Sequence, residues 1–228
     1  MNTLTDTARA REAPSPACSP PAEHRAHGSD RMRRVVDGEL AVLIDDQALG
    51  GAGRGIFFAA AGALSAYQVT IMALRGRGIL SVAVDEDLAV RLGIPHMPRS
   101  QRIHGDEPTF LVSIEAAACL GTGISADDRA LTIRVAGDPQ ATAESLATPG
   151  HIMPLLIRRP LGAASTLAEV AYALLQAETG RGVAAWCDIL DDSGAVASAE
   201  TCRALAAELR QPCFTCAELR ARLGRLPR

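Results

Sequence analysis

The feature that most constrains this chain is the alternation of short apolar runs with stretches of helical spacing. Leu40 to Ile44, a run from Ile56, Ile79 to Val84, Phe110 to Ile114 and Val183 to Leu190 are each too short for a buried helix, and all but Phe110 to Ile114 end at Gly or Asp. Between them, Ser65 opens a helix running to about Arg75, Asp85 opens one ending near Gly93, and Ser125 with Asp128 three residues on forms a capping box for a helix through Arg134. Further helices are expected over Ser165 to Ala177 and Ala199 to Arg210, then a short strand at Cys213 to Thr215 and a last helix. Strands alternating with helices define an α/β protein, and no internal repeat interrupts the pattern.

Residues 1–31 depart from that pattern. Pro14, Pro16, Pro20 and Pro21 crowd together and large apolar side chains are almost absent before Met32, so the segment cannot bury enough surface to offset its ordering entropy. It is expected to be a disordered tail, with His24 and His27 solvated, ahead of a single domain over residues 32–228. In that domain Pro149, Gly150 and Pro154 mark an irregular segment around His151.

Charge and cysteine usage narrow the function class. A net charge of -3 and a pI near 6.0 lack the cationic surplus that phosphate-backbone binding requires, so nucleic acid is not an expected partner. No run approaches the roughly 18 to 20 apolar residues of a membrane span, and no signal-peptide pattern opens the chain, which implies a cytoplasmic protein. The six cysteines show no disulfide spacing. Cys213 and Cys216 form a lone Cys-x-x-Cys that reads as a strand end, with a zinc or redox site as the rarer alternative.

Two motifs carry most of the functional information. One is Thr122-Gly123-Ile124-Ser125-Ala126-Asp127-Asp128-Arg129, followed by Thr132-Ile133-Arg134; the other is Pro149-Gly150-His151-Ile152-Met153-Pro154-Leu155. In this order and separation they resemble the 3,4-dihydroxy-2-butanone-4-phosphate synthase family. Gly78-Ile79-Leu80, Leu92-Gly93-Ile94-Pro95, Phe110 to Ala116 and Trp186 to Gly194 agree, so the resemblance spans roughly residues 33–222. It implies a mixed sheet flanked by helices, a homodimer with active sites at the subunit interface, magnesium as the metal, and a lyase that converts ribulose 5-phosphate to a butanone phosphate plus formate in riboflavin biosynthesis.

The chain departs from the family where that chemistry resides. The family's acidic Arg-Glu-Asn-Glu-Gly-Asp stretch is replaced after Asp45 and Asp46 by Gln47-Ala48-Leu49-Gly50-Gly51-Ala52-Gly53-Arg54-Gly55, a loop without a carboxylate that serves either as an anion cradle or as a flexible linker. The family's Arg-x-Gly-His-Thr-Glu stretch, aligned through Glu169, has Leu167 at the His and Ala168 at the Thr. Ser81 stands for a cysteine, Asp188 for a glutamate, and Arg99 to His104 does not reproduce an Asn-Thr-Ser stretch near the substrate.

These losses imply no metal and no other cofactor, and an enzyme repurposed in specialised metabolism for metal-independent isomerisation, dehydration or cyclisation of a carbonyl or enol small molecule. The apolar Leu167, Ala168, Ala163 and Ala164 suit a bulkier, less charged substrate. A non-catalytic binding homologue and a true synthase are the alternatives. Carried over from the resemblance, His151, Asp188 and Glu169 are the catalytic candidates, and Asp46, Arg54, Ser81, Thr122, Asp128 and Arg129 are the substrate contacts. His151 leads because imidazole exchanges protons near neutral pH. Asp128 and Arg129 read equally as a helix-start cap and ion pair, and Tyr67, Tyr172 and Trp186 as core aromatics.

Overall fold

The structure is a computed structural model that describes residues 28–98, 109–157 and 165–224. An eight-stranded mixed sheet forms its centre. In chain order the strands are β1 (Ala41–Asp45), β2 (Arg54–Ala60), β3 (Ser81–Val84), β4 (Thr109–Phe110), β5 (Ile114–Ala116), β6 (Leu146–Leu156), β7 (Ala184–Asp188) and β8 (Cys213–Thr215). The helices are α1 (Gly28–Val36), α2 (Ala66–Ile71), α3 (Glu86–Arg91), α4 (Ala126–Gly137), α5 (Leu167–Thr179), α6 (Ala199–Glu208) and α7 (Cys216–Leu223).

The spatial order is β4-β6-β3-β7-β2-β1-β8, with β5 added beside β6. β1 with β8 and β3 with β6 are parallel, and the remaining pairs are antiparallel. Each central strand is buried on both sides because its alternate side chains enter different cores. Val42, Ile44, Phe57, Val82 and Cys187 join α2, α4 and α6 on one face. Leu43, Ile56, Phe58, Ala83 and Trp186 join α1, α5 and α7 on the other. The mixed sheet between helical layers is the architecture that the sequence implies.

Local signals set most element starts. Ser65, Asp85, Ser125, Thr166 and Thr215 are N-caps whose side chains accept the third backbone N–H of their helices, which removes an orphan donor in each first turn. α2 continues into a π-helical turn over Met72–Gly76, as far as the sequence predicts. Cys213 opens β8 and Cys216 opens α7; both are free thiols, in keeping with the strand-end reading.

Three expectations are corrected, and the irregular segment expected around His151 is found as a bulge over residues 148–151 of the 11-residue β6, whose pairing with β5 jumps from Ile152 to Ala147. Its prolines are tolerated because the ladder uses their neighbours: the Met153 N–H donates to Leu80 O, and the Pro154 carbonyl accepts from the Leu111 N–H. The run Phe110 to Ile114 divides into β4 and β5, which pair with different stretches of β6. Helix α1 starts at Gly28, ahead of the expected boundary at residue 32, since Met32 and Val35 are buried against the α5 layer and the Arg31 guanidinium donates to Cys213 O at 2.7 Å. Tyr67 is 74% exposed and is no core aromatic, because its position on α2 faces outward. Residues 1–27, the Arg99 to His104 stretch, Ala163 and Ala164 lie outside the described residues.

Phe57 is fully buried beneath α2 and the π-helical turn, at the middle of the sheet. Phe57→Ala is expected to lower the unfolding free energy by about 3–5 kcal/mol, since the site is walled by strands on both sides and cannot collapse. Urea denaturation followed by circular dichroism measures it.

Candidate active site

Polar side chains appear on the α5 face of the sheet where the apolar alternation runs out at strand ends. Arg54 begins β2 opposite Asp45, the last residue of β1. Asp188 ends β7 opposite Ile56, and Ser81 begins β3 beside both Trp186 and Met153. Strand alternation puts His151 on the same face as Met153 and Leu155, since Ile152 enters the opposite core.

The first turn of α5 covers this edge. Between helix and sheet lies a cavity of about 160 Å³ walled by Arg54, Ile56, Phe110, Leu155, Thr166, Leu167, Ala168, Trp186 and Asp188. Thr166 and Glu169 close the helix start reciprocally: the Thr166 N–H donates to the Glu169 carboxylate at 2.6 Å, and the Glu169 N–H donates to Thr166 Oγ at 3.2 Å. Glu169 is 3% exposed, so its carboxylate holds the cavity wall in place.

Asp188 is electrostatically unusual. Burial pushes its carboxyl above the ordinary aspartate range, and the nearby Arg54 guanidinium partly opposes that rise. Ser81 is buried, with its hydroxyl 3.4 Å from Ile79 O.

A second polar group lies at the β5–β6 edge. His151 Nδ1 is 2.9 Å from Glu115 Oε2, with the two side chains 40% and 18% exposed, so the imidazole is reachable while its carboxylate partner is largely shielded. An ionised carboxylate only accepts, so against an ionised Glu115 Nδ1 carries the proton and Nε2, which has no partner among the described residues, keeps its lone pair. Two glycines permit this approach. A Cβ on Gly150 would meet Ile114 O at 2.1 Å, and one on Gly123, at φ +80°, would meet the Glu115 carboxylate at 2.0 Å. The Gly123 N–H donates to Asp128 Oδ2 at 3.3 Å, which ties the α4 cap to the same edge.

Other candidates are placed elsewhere. Asp46 ion-pairs with Arg203 of α6. Thr122 and Asp128 border an open groove at the start of α4, away from the α5 cavity. Arg129 acts electrostatically on Cys187, whose thiol burial pushes up to about 12 and which points into the opposite core. The glycine loop forms a short 3-10 turn at Leu49–Gly51 and gives Arg54 and Gly55 to β2.

Two contributors have no assigned role in the sequence reading. Glu115 sits in a recognised stretch, where a charge inside an apolar strand is the available signal. Trp186 reads as a core aromatic; it is buried, but it also walls the cavity and its Nε1 has no hydrogen-bond partner among the described residues. Tyr172 is a satisfied core residue, donating to Asp85 Oδ2 at 2.7 Å.

Both the fold and this polar edge point to a known class. Residues 29–222 match the family of 3,4-dihydroxy-2-butanone 4-phosphate synthase. Among curated proteins, the chain is 36% identical over 173 residues to the riboflavin biosynthesis protein RibBA of Chlorobium phaeovibrioides, covering 73% of this chain and 40% of that protein. It is 32% identical over 181 residues to the 3,4-dihydroxy-2-butanone 4-phosphate synthase of Pseudomonas aeruginosa, covering 76% and 47%. A solved 3,4-dihydroxy-2-butanone 4-phosphate synthase in complex with two magnesium ions superposes with a TM-score of 0.74 at 24% identity, covering 86% of this chain and 95% of that one. The chain belongs to the 3,4-dihydroxy-2-butanone 4-phosphate synthase family, a family of enzymes, and spans less than half the length of the two curated relatives.

That magnesium-bound relative overturns the expectation of an activity without a cofactor. The expectation failed because magnesium keeps several waters and is bound through one or two carboxylates plus substrate oxygens, so changed residues at two aligned positions do not establish its loss. Asp188, a carboxylate in the cavity wall, fits such a role. Among the described residues no three His, Cys, Asp or Glu side chains gather to hold an ion unaided, so substrate oxygens would complete the shell. Also among the described residues, no helix is long and apolar enough to cross a membrane.

The raised pKa of Asp188 has a stability consequence. The folded state favours the protonated carboxyl, so the contribution of this group is fully present below the ordinary aspartate value of 3.8 and is lost as pH rises through the folded value. Asp188→Asn, which cannot ionise, is expected to be more stable than the parent at neutral pH, with the advantage shrinking as pH falls below that ordinary value. Thermal unfolding of both proteins across that range measures it; an advantage unchanged with pH would refute the assignment.

Proposed function

We propose that this chain is a proton-transfer lyase whose first candidate substrate is ribulose 5-phosphate, from which the family resemblance implies a butanone phosphate and formate. The observation that carries this reading is the His151–Glu115 pair at 2.9 Å, in a sheet that also holds a cavity walled by Asp188 and Arg54. Deprotonation beside a ketone needs a base with a free lone pair and a group that meets the charge developing on oxygen.

His151 Nε2 takes the proton from the carbon next to the ketone, and Glu115 keeps the imidazole oriented and stabilises it once charged. The ketone oxygen, where charge develops, lies toward Asp188 and Arg54 in the cavity wall. Arg54 supplies a fixed positive charge beside it. Magnesium, held by the ionised form of Asp188 and by substrate oxygens, would supply the same charge stabilisation. The homodimer implied by the resemblance belongs to the proposal and is supported by Leu120 and Ile124, which flank Thr122 and expose apolar surface.

A second reading, a relative repurposed in specialised metabolism for a less charged carbonyl or enol compound, is favoured by the apolar Ile56, Phe110, Leu155, Leu167 and Ala168 in the cavity wall.

Purified protein incubated with ribulose 5-phosphate and magnesium is expected to release formate, and His151→Ala to lower the rate by about 10²–10⁴-fold, the usual contribution of a general base. Chelation should abolish the activity and added magnesium restore it, with calorimetry showing magnesium uptake only in the presence of substrate. No formate under these conditions would refute the first reading; enolisation of an unphosphorylated hydroxyketone in the same assay would establish the second.

A further inference from the structure

β6 changes its register with β5 at one place. Ile152 pairs with Ile114 but Ala147 pairs with Glu115, so residues 148–151 are extra on the β6 side and have no ladder partners in β5. A backbone N–H left over in this way needs an acceptor from outside the ladder. Pro149 has none to place. Gly150 has one, and it donates to Ser113 Oγ at 3.1 Å. Ser113 immediately precedes β5, and a Cβ on Gly150 would meet Ile114 O at 2.1 Å, so the hydroxyl holds the bulge where the two backbones come closest. His151 is the next residue, and the anchor therefore sets where its ring stands.

Glu115, the partner of that ring, is held in the same manner from the other side. The N–H of the following residue, Ala116, donates to Thr132 Oγ1 at 2.9 Å, and the Thr132 hydroxyl donates in turn to Asp128 O at 2.9 Å. Thr132 is 1% exposed, and with its proton committed to Asp128 its oxygen presents a lone pair to Ala116. This ties β5 to α4. Among the described residues neither hydroxyl bonds to the imidazole or to the Glu115 carboxylate; each fixes the backbone beside one of them. A hydrogen bond weakens steeply once its distance and angle leave a narrow range, so the 2.9 Å approach of Nδ1 to Glu115 Oε2 depends on both anchors. The bond that one ring nitrogen makes decides which nitrogen keeps its lone pair.

We infer that Ser113 and Thr132 are positioning residues for the proton transfer: through the N–H groups of Gly150 and Ala116 they hold His151 and Glu115 in the register that selects the Nδ1–H tautomer and leaves Nε2 as the base. The inference rests on the proposed function for the role of His151 and deepens it by naming what sets the state of that base. Loss of either hydroxyl frees one backbone segment, and the imidazole then divides between its two tautomers.

The test reads the tautomer directly. Full-length protein labelled with ¹⁵N-histidine is studied by NMR at about pH 8, where an ordinary imidazole is neutral. His151→Ala identifies the His151 signals, and circular dichroism checks the fold of each variant. The parent is expected to show the Nδ1–H form. Ser113→Ala and Thr132→Val are expected to show both forms. They should also lower kcat for formate release from ribulose 5-phosphate by about tenfold, a part of the roughly 10²–10⁴-fold that a general base contributes, while KM changes less than about twofold. Ser113→Thr and Thr132→Ser keep the hydroxyl and should restore the parent tautomer and rate. Ser113 is only partly buried, so Ser113→Ala decides the matter even where Thr132→Val fails to fold.

A changed tautomer in Ser113→Ala, restored in Ser113→Thr, with no formate from the parent would support the positioning role and sink the first reading of the function. The Nε2–H form in the parent, or the Nδ1–H form retained in Ser113→Ala, would overturn the inference and leave a formate-releasing lyase intact. An unchanged kcat in Ser113→Ala despite a changed tautomer, or a Ser113→Thr variant as impaired as Ser113→Ala, would also overturn it.

Discussion

The structure depends on a sheet whose central strands are buried on both faces. Between Ile56 and Phe58, and between Ala184 and Cys187, every side chain enters one of two cores, so no charged side chain stands along those stretches. In the central strands, charged side chains are thereby confined to strand ends. Asp45, Arg54, Ser81 and Asp188 all stand at the first or last residue of their strands, and the antiparallel register of β2 with β1 and β7 brings the ends that carry Asp45, Arg54 and Asp188 to one edge. The cavity is a consequence of how the core is closed.

The cover over that edge follows from local chemistry. The reciprocal cap between Thr166 and Glu169 fixes where α5 begins, and the apolar Leu167 and Ala168 then lie against the cavity. Asp188 is consequently desolvated, which disfavours its charged form and costs stability at neutral pH. The strain of bringing β5 against β6 is met in a similar way: Gly123 and Gly150 give up side chains so that Glu115 can reach His151. In both places local stability is exchanged for a polar group held at a set position.

Much of the fold is legible in the chain because its signals are local. Ser65, Asp85 and Ser125 announce helix starts from a few neighbouring residues, and the motifs around Asp128 and His151 identify the family, hence the mixed sheet. β6 is harder to read, since Pro149 and Pro154 argue against a strand unless the partners that use their carbonyls and neighbours are known. The site is only partly legible. Arg54, Asp188 and His151 are named by motif, but the contact of His151 with Glu115 joins residues far apart in sequence, and the separation of Asp46 and Arg129 from the cavity is set by α6 and α4 packing. Trp186 illustrates the limit of periodicity: a buried indole in a strand reads as core whether or not its nitrogen is satisfied. The cofactor expectation failed for a different reason, because a metal completed by substrate oxygens leaves a thin signature in protein ligands.

The central claim is that His151 moves a proton at the carbon beside a ketone. The direct measurement is proton NMR of ribulose 5-phosphate held with the protein and magnesium in deuterium oxide, following the signal of that carbon's hydrogen. The account predicts loss of the signal through solvent exchange in the parent protein and retention of it in His151→Ala. Exchange no faster than in buffer alone, or equally fast in both proteins, would contradict it.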